Sequence, residues 1–472
     1  MPAILCNLPL ECFEDRAAFA GIDLVTYGPP ERMLVDGVHF PFDVAFDPST
    51  GSWEDLQRLL PHGFRPDFVL HWWPDQEPLP AGMHRCPVPV VGVVSDYNLS
   101  LPYLVGLWPF YDVLLCDRAG VDLFAALSFA DVRWFCQYTF KRPFHRRYAD
   151  VGERDLDVAF VGNLDPDVQR ARAPWLERVR ALAGRGHRTT VQSGICGAAY
   201  GRLLNRARIG FNRSIRGEMN LRAFEVPACG ALLFLERENL EVREFLTPGA
   251  ECVLYGEDDF EALVDQHLRD EPRRARIAAA GHARIQDYAM GKRLQALCEL
   301  LGRRGPGRPP SRDADAALGR ATAMLQTWAS GPALTRAAVA ACQLLPEDPR
   351  PLNVLALATL RWRGNDGIAA AIELWRKAAR LSPGYVPAVY NLEVLLGAAG
   401  RSDLRSQSRR ELDRRLLGVA DFGSLDGPTM PLGFKAPAIA RSLALQAAVR
   451  AGSPAPLVAA LAGTGLLDAP RT

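Results

Sequence analysis

The stretch RSIRGEMNLRAFEVPACGALLFLE, residues 213–236, runs from a charged loop through a short helical segment into an apolar strand. The spacing predicts a helix over 220–229, stopped by Gly230, and a buried strand over 231–235. Arg222 and Glu225 are three residues apart and share one helix face. A carboxylate placed there can accept both hydroxyls of a ribose, while Arg222 and the free N–H groups of the first turn suit a diphosphate. The plain alternative is a solvated Arg–Glu pair worth about 0.2–0.5 kcal/mol. Pro227 bears on the choice: inside a helix it costs about 3 kcal/mol, so the helix is expected either to kink or to begin later than 220.

Upstream, Asp157–Val161 reads as a strand ending in Gly162-Asn163, with further strands at 189–192 and 208–212 and another at 252–255. Helical spacing fills the intervals, which is the pattern of a parallel α/β sheet. Gly162 at a strand end lets the backbone approach a phosphate, and Asn163 adds a polar side chain. No GxGxxG and no GxxxxGK[ST] occurs, so the nicotinamide and P-loop fingerprints are missing. A second set of short apolar runs precedes these: 44–46, 68–73, 88–94, 111–116 and 132–135. They predict a first α/β unit, with Ser52 opening a capped helix and Asp117–Phe129 forming another.

The expected organisation is a first Rossmann-like domain over 1–155, a second over 156–302, and a Gly/Pro/Arg-rich linker over 303–316. Helical, Ala/Leu-rich sequence follows. Asp348-Pro349 and Ser382-Pro383 recur 34 residues apart, the period of a tetratricopeptide repeat, which places TPR-like helices over 317–415 and further helices over 416–472. Such helices suit a protein or glycan partner, or serve to extend and stabilise the α/β domains.

Composition narrows the classes. The 472 residues carry a net charge of +1, so nothing supports general nucleic-acid binding. Only Lys141, Lys292, Lys377 and Lys435 are lysines; the other 51 of 55 basic residues are arginine, which weakens the signal of any one arginine. The ten cysteines are scattered without a CxxC pair, as in reduced intracellular proteins rather than disulfide frames or zinc sites. With no signal-peptide pattern and no apolar run of about 18 residues, a cytoplasmic protein without a membrane segment is expected.

The block IGFNRSIRGEMNLRAFEVPACGALLFLE (209–236) resembles the donor-domain signature of GT-B glycosyltransferases of the CgeB-like, spore-maturation-protein type. The resemblance extends over about 155–300, and over 40–150 by architecture alone. It implies two facing Rossmann-like domains and transfer of a sugar from a nucleotide-diphospho-sugar, such as a UDP-, GDP- or dTDP-sugar, to an acceptor held by the first domain. It further implies that Glu225 binds the ribose, that Arg222 with Gly162 and Asn163 binds the diphosphate, and that Asn212, Ser214 and Asn220 line the sugar end. The broader Glu-x7-Glu pattern would start at Gly217, so Glu218 stands one place off. Tyr288-Ala289-Met290 stands where the family has His-Thr-Tyr. The resemblance implies neither a bound metal nor a cofactor; Asp155–Asp157 falls at a domain seam and Asp313–Asp315 in the expected linker.

An inverting transfer needs a base from the first domain. Asp96 and His71 are the candidates, each following or lying within an apolar run; the competing readings are a helix N-cap for Asp96 and a core residue for His71. Trp72 and Trp73 suit sugar stacking or simple packing. Two other functions fit the sequence: a non-catalytic scaffold of the same architecture, and another Rossmann-type enzyme acting on a nucleotide-sugar, such as an epimerase.

Overall fold

The computed structural model describes residues 1–29, 38–127, 129–164, 171–302, 311–382 and 385–398. Most of the expected linker (303–310), the end of the expected repeats (399–415) and the expected C-terminal helices (416–472) lie outside the described residues.

Two parallel sheets form. The first contains β1 (Ala3–Cys6), β2 (Asp23–Gly28), β3 (Val44–Ala45), β4 (Phe68–Trp72), β5 (Val90–Val93), β6 (Val113–Cys116) and β7 (Val132–Trp134), in the order β3-β2-β1-β4-β5-β6-β7. Helices α1 (Trp53–Leu59), α2 (Tyr97–Leu104) and α3 (Arg118–Ala126) connect its strands. Ser52 caps α1 as expected, and with Asp55 it forms a capping box. The centre of the sheet includes β1, a four-residue apolar run too short to separate from helix by periodicity, and neither β1 nor β2 was legible in the sequence.

The second sheet contains β8 (Leu156–Val161), β9 (Thr189–Gln192), β10 (Ala207–Phe211), β11 (Leu232–Glu236) and β12 (Val253–Tyr255), ordered β12-β11-β10-β8-β9. Around it lie α4 (Ala173–Ala181), α5 (Gly197–Arg206), α6 (Leu221–Ala228), α7 (Val242–Phe245), α8 (Phe260–Arg269) and α9 (Glu271–Ile285). Its strand order reverses between β8 and β10, which opens a crevice at their carboxyl ends. In the first sheet the reversal falls between β1 and β4.

Helix α6 starts at Leu221, capped by Asn220, and ends at Ala228, so Pro227 lies inside its last turn rather than its first. Gly230 follows with φ +74°, the left-handed turn a glycine adopts without penalty.

Helices from the far end of the chain complete the first unit. Met290, Leu294 and Leu297 of α10 (Met290–Leu301) pack on one face of its sheet, and Ala316 and Ala323 of α11 (Asp313–Met324) join the core on the other. Helix α11 begins inside the segment expected to be linker, and Gly319 lies so close to Gly106 that a Cβ there would collide with the Gly106 carbonyl. Helices α12 (Gly331–Leu344), α13 (Pro349–Arg363), α14 (Ile368–Leu381) and α15 (Val386–Ala398) follow, each packed on the one before. The pair α13–α14 spans the segment read as a repeat, with Trp375 buried and its indole donating to Asn353 at 2.9 Å. Among the described residues no helix is long and apolar enough to cross a membrane.

Candidate active site

At the β8–β10 crevice the first turn of α6 delivers Arg222. Its guanidinium donates to the Val161 carbonyl from Nε (2.9 Å) and Nη2 (2.6 Å) and to Asn212 Oδ1 from Nη1 (2.8 Å). The guanidinium lies over the Phe160 ring, 4.2 Å from its centroid. A Cβ at Gly162 would strike the same guanidinium and displace it. Asn212 is fully buried; its Oδ1 is engaged by Arg222 while its Nδ2 has no hydrogen-bond partner among the described residues. Gly162, Asn212 and Arg222 are thus brought into direct contact. Asn163 is exposed at the same strand end.

A second arginine, which nothing in the sequence singles out, shares this place. Arg172 precedes α4, is buried, donates Nε to the Arg213 carbonyl at 3.0 Å and lies 5.6 Å from the Phe160 centroid. Burial, and next the charge of Arg222, lower its pKa to about 9; Glu218 and Glu236 pull the other way. Among the described residues neither guanidinium has a carboxylate within ion-pair distance. In a chain so rich in arginine, only the tertiary structure distinguishes this pair.

Arg222 and Glu225 do not pair with each other. Glu225, 7% exposed, faces His145, whose Nε2 is 3.7 Å from Oε1. The Tyr200 hydroxyl also faces that carboxylate, and among the described residues His145 Nε2 is buried without a hydrogen-bond partner. Burial lowers the His145 pKa, with Glu225 opposing, and raises that of Tyr200. Three polar groups therefore converge with hydrogen-bonding capacity left over.

Ser214, Glu218 and Asn220 shape the 213–220 loop. Ser214 bonds to Glu236 at the end of β11 through both Oγ and N–H. Glu218 accepts from the N–H groups of Ile215 (3.3 Å) and Arg216 (2.6 Å), and Asn220 caps α6. The loop then crosses to the first sheet. Arg216, fully enclosed, donates Nε to Asp117 at 2.9 Å, and Asp117 also accepts from the Tyr97 hydroxyl (2.7 Å). Burial opposes the Arg216 charge, yet Asp117 and Glu218 more than offset it and the group stays protonated. Glu241 repeats the bridge, accepting from Met219 N–H (2.8 Å) on one side and from Trp134 Nε1 (2.6 Å) and Arg118 N–H (3.1 Å) on the other.

On the first sheet, Asp96 stands immediately before α2 with its side chain 43% exposed, 4.0 Å from Arg216 Nη1. Behind it is Asp75, also unmarked in the sequence, in the loop leaving β4 at the strand-order reversal. Asp75 is buried and accepts from Ser95 Oγ at 3.1 Å; burial, then the Asp96 charge, raise its pKa to about 6. His71 does not reach the cleft. It is wholly enclosed within β4, its Nδ1 is 2.7 Å from the Tyr111 hydroxyl, and burial lowers its pKa to about 3, so the core reading replaces the catalytic one. Trp72 is core as well. Trp73 has φ +56°, and its indole donates to Gln137 Oε1 at 2.8 Å. It is the one non-glycine with positive φ among the described residues.

Residues 142–299, about a third of the chain, match a family model described as "Glycosyl transferase-like". Among solved structures, similarity extends to a sucrose-phosphate synthase from Thermosynechococcus elongatus (12% identity, 64% of this chain, 99% of that chain, TM-score 0.38). It extends also to HepE from Anabaena in complex with UDP and glucose (13%, 64% and 100%, TM-score 0.39) and to TarM (8%, 50% and 55%, TM-score 0.37). Likeness this distant says nothing of the chemistry. No curated protein matches the chain.

Proposed function

We propose that the protein is a glycosyltransferase of the GT-B type that takes a sugar from a nucleotide-diphospho-sugar. The supporting observation is the Arg172–Arg222 pair: two guanidiniums without carboxylates, among the described residues, at the strand-order reversal of a parallel sheet, which suits a diphosphate. Glu225, with His145 and Tyr200, suits the ribose hydroxyls one helical turn away. The match of residues 142–299 to a glycosyl transferase-like family model agrees with this.

The chemistry follows from the charges. The acceptor oxygen attacks the anomeric carbon, the bond from that carbon to the diphosphate oxygen breaks, and its electron pair leaves with the diphosphate. Arg172 and Arg222 stabilise the charge that develops there, undiverted by any carboxylate among the described residues. Asp96, the reachable carboxylate on the acceptor side, takes the proton of the attacking hydroxyl. Asp75 lies behind it, and the Arg216–Asp117 and Glu241 bridges hold the two halves in register.

The test is donor turnover by the purified chain, as hydrolysis or transfer, with Glu225→Ala as the control. Turnover that disappears in a folded Glu225→Ala variant supports the proposal. Nucleotide-sugars that neither bind nor turn over would favour a scaffold of the same architecture.

A further inference from the structure

The turn between α11 and α12 reaches the strand-end loop that carries Asp75. From this turn Trp328 donates its indole Nε1 to Glu77 Oε2 at 2.5 Å and its backbone N–H to the Gln76 carbonyl at 3.2 Å. Within α11 itself, the buried Arg320 donates to the carbonyls of Leu79 (2.7 Å), Ser49 (2.8 Å) and Pro48 (3.0 Å). Trp328 and Glu77 are 251 residues apart in sequence, so only the docking of the helical array brings these groups together.

The loop they hold is not one that local propensity would maintain. Trp73 opens it in the left-handed region, a conformation that persists only where the surroundings over-determine it. Its carbonyl accepts the N–H groups of both Gln76 and Glu77 at 2.8 Å, closing a tight turn with Asp75 inside. Gln137 holds one side of this turn through the Trp73 indole, and Trp328 holds the other. Around the Asp75 carboxyl stand Ser95 and the Gln76 amide (3.4 Å), with Asp96 the nearest charge. Glu77 lies two residues along; the His71 and Tyr111 rings behind are kept neutral by burial.

We propose that Trp328 is a positioning residue of the acceptor site: by clamping residues 76–77 it fixes the Asp75 carboxyl against Ser95 and beside Asp96. The helical array is then a working part of the transferase unit, and any partner that shifts α11 or α12 acts on the acceptor side. The functional consequence rests on the glycosyl-transfer reading; the clamp itself does not.

The experiment follows the Asp75 carboxyl by NMR pH titration of the full chain labelled with 13C at aspartate Cγ, the resonance assigned by its loss in Asp75→Asn. Trp328→Phe keeps an aromatic ring and the backbone N–H to Gln76 and removes the indole donor, Glu77→Leu removes the acceptor, and Glu77→Gln keeps it. Trp328→Phe and Glu77→Leu are expected to move the Asp75 midpoint from about 6 toward the ordinary 3.8, with Glu77→Gln like the parent. In transfer assays the first two are expected to lower kcat by roughly tenfold with donor KM unchanged, the size of loss a small displacement of a reacting group produces. Parent-like titration in both Trp328→Phe and Glu77→Leu overturns the proposal. A parent that transfers no sugar, with the midpoint still moving in both variants, upholds the clamp and sinks the glycosyl-transfer reading.

Discussion

Arg172 and Arg222 lie over the same ring, that of Phe160, at 5.6 and 4.2 Å from its centroid, and neither meets a carboxylate among the described residues. Two like charges sharing a half-dry site lower stability unless an anion joins them. Such an arrangement is a cost to the free protein and a gain to the complex, which makes it diagnostic.

Arg172→Met should therefore raise the melting temperature of the free chain, by roughly 2–4 °C for each kcal/mol of repulsion relieved. It should also abolish the rise that a nucleoside diphosphate gives the parent. Paired thermal melts with and without the nucleotide check both halves. A variant that melts lower in the free state, yet still responds to nucleotide, contradicts the assignment.

Glu225→Gln should weaken nucleotide binding by about tenfold, the loss of one charge-assisted hydrogen bond. The sharper comparison uses the 2′-deoxynucleotide. It should bind the parent about tenfold less well than the ribonucleotide and bind Glu225→Gln nearly as well. Calorimetric titration of the four pairs gives the coupling directly.

The Arg216–Asp117 bridge is buried between the two sheets. Asp117→Leu takes from the enclosed guanidinium its hydrogen-bonded carboxylate, leaving Asp96 at 4.0 Å as the ion pair, at a cost of about 3–5 kcal/mol. Arg216→Met combined with Asp117→Leu should recover much of that loss. Denaturant unfolding measures both, and additivity of the two single losses would show that the groups do not depend on each other.

Asp75 carries a pH signature with a definite sign. Its folded pKa, about 6, lies above the ordinary 3.8, so the folded state binds the proton more tightly. That contribution to stability is present below the unfolded pKa and is lost as pH rises from 3.8 through 6. Asp75→Asn should thus melt above the parent at about pH 7 to 8, with the gain fading as the pH falls toward 3.8. Melting curves across this range are sufficient.

Much of this was legible in the sequence. Strand and helix spacing in alternation placed the second sheet: the strand at 189–192 has the bounds expected, and α6 with its Gly230 stop lies within a residue of expectation, while the Asn220 cap was not foreseen. The apolar runs of β4, β5 and β6 were plain because strands buried on both faces are continuous in hydrophobicity. What stayed hidden is tertiary. Arg172 is one arginine among 51, and nothing local marks it as one that lies over Phe160. Asp75 acquires its raised pKa from burial and from Asp96, some twenty residues on, and His71 loses its apparent promise only when Tyr111 and the sheet close around it. Helix α11 could not be assigned to the first core from its own sequence, since its place is set by contact with Gly106.

The most direct measurement is calorimetric titration of UDP, GDP, ADP and dTDP into the full chain and into an Arg172→Met/Arg222→Met variant that retains its fold. The account predicts that at least one diphosphate binds the parent, with affinity falling by about 100-fold or more in the variant, as two charge-assisted contacts of about 1.5 kcal/mol each are lost. Equal binding by parent and variant, or no binding of any of the four to the parent, would contradict it.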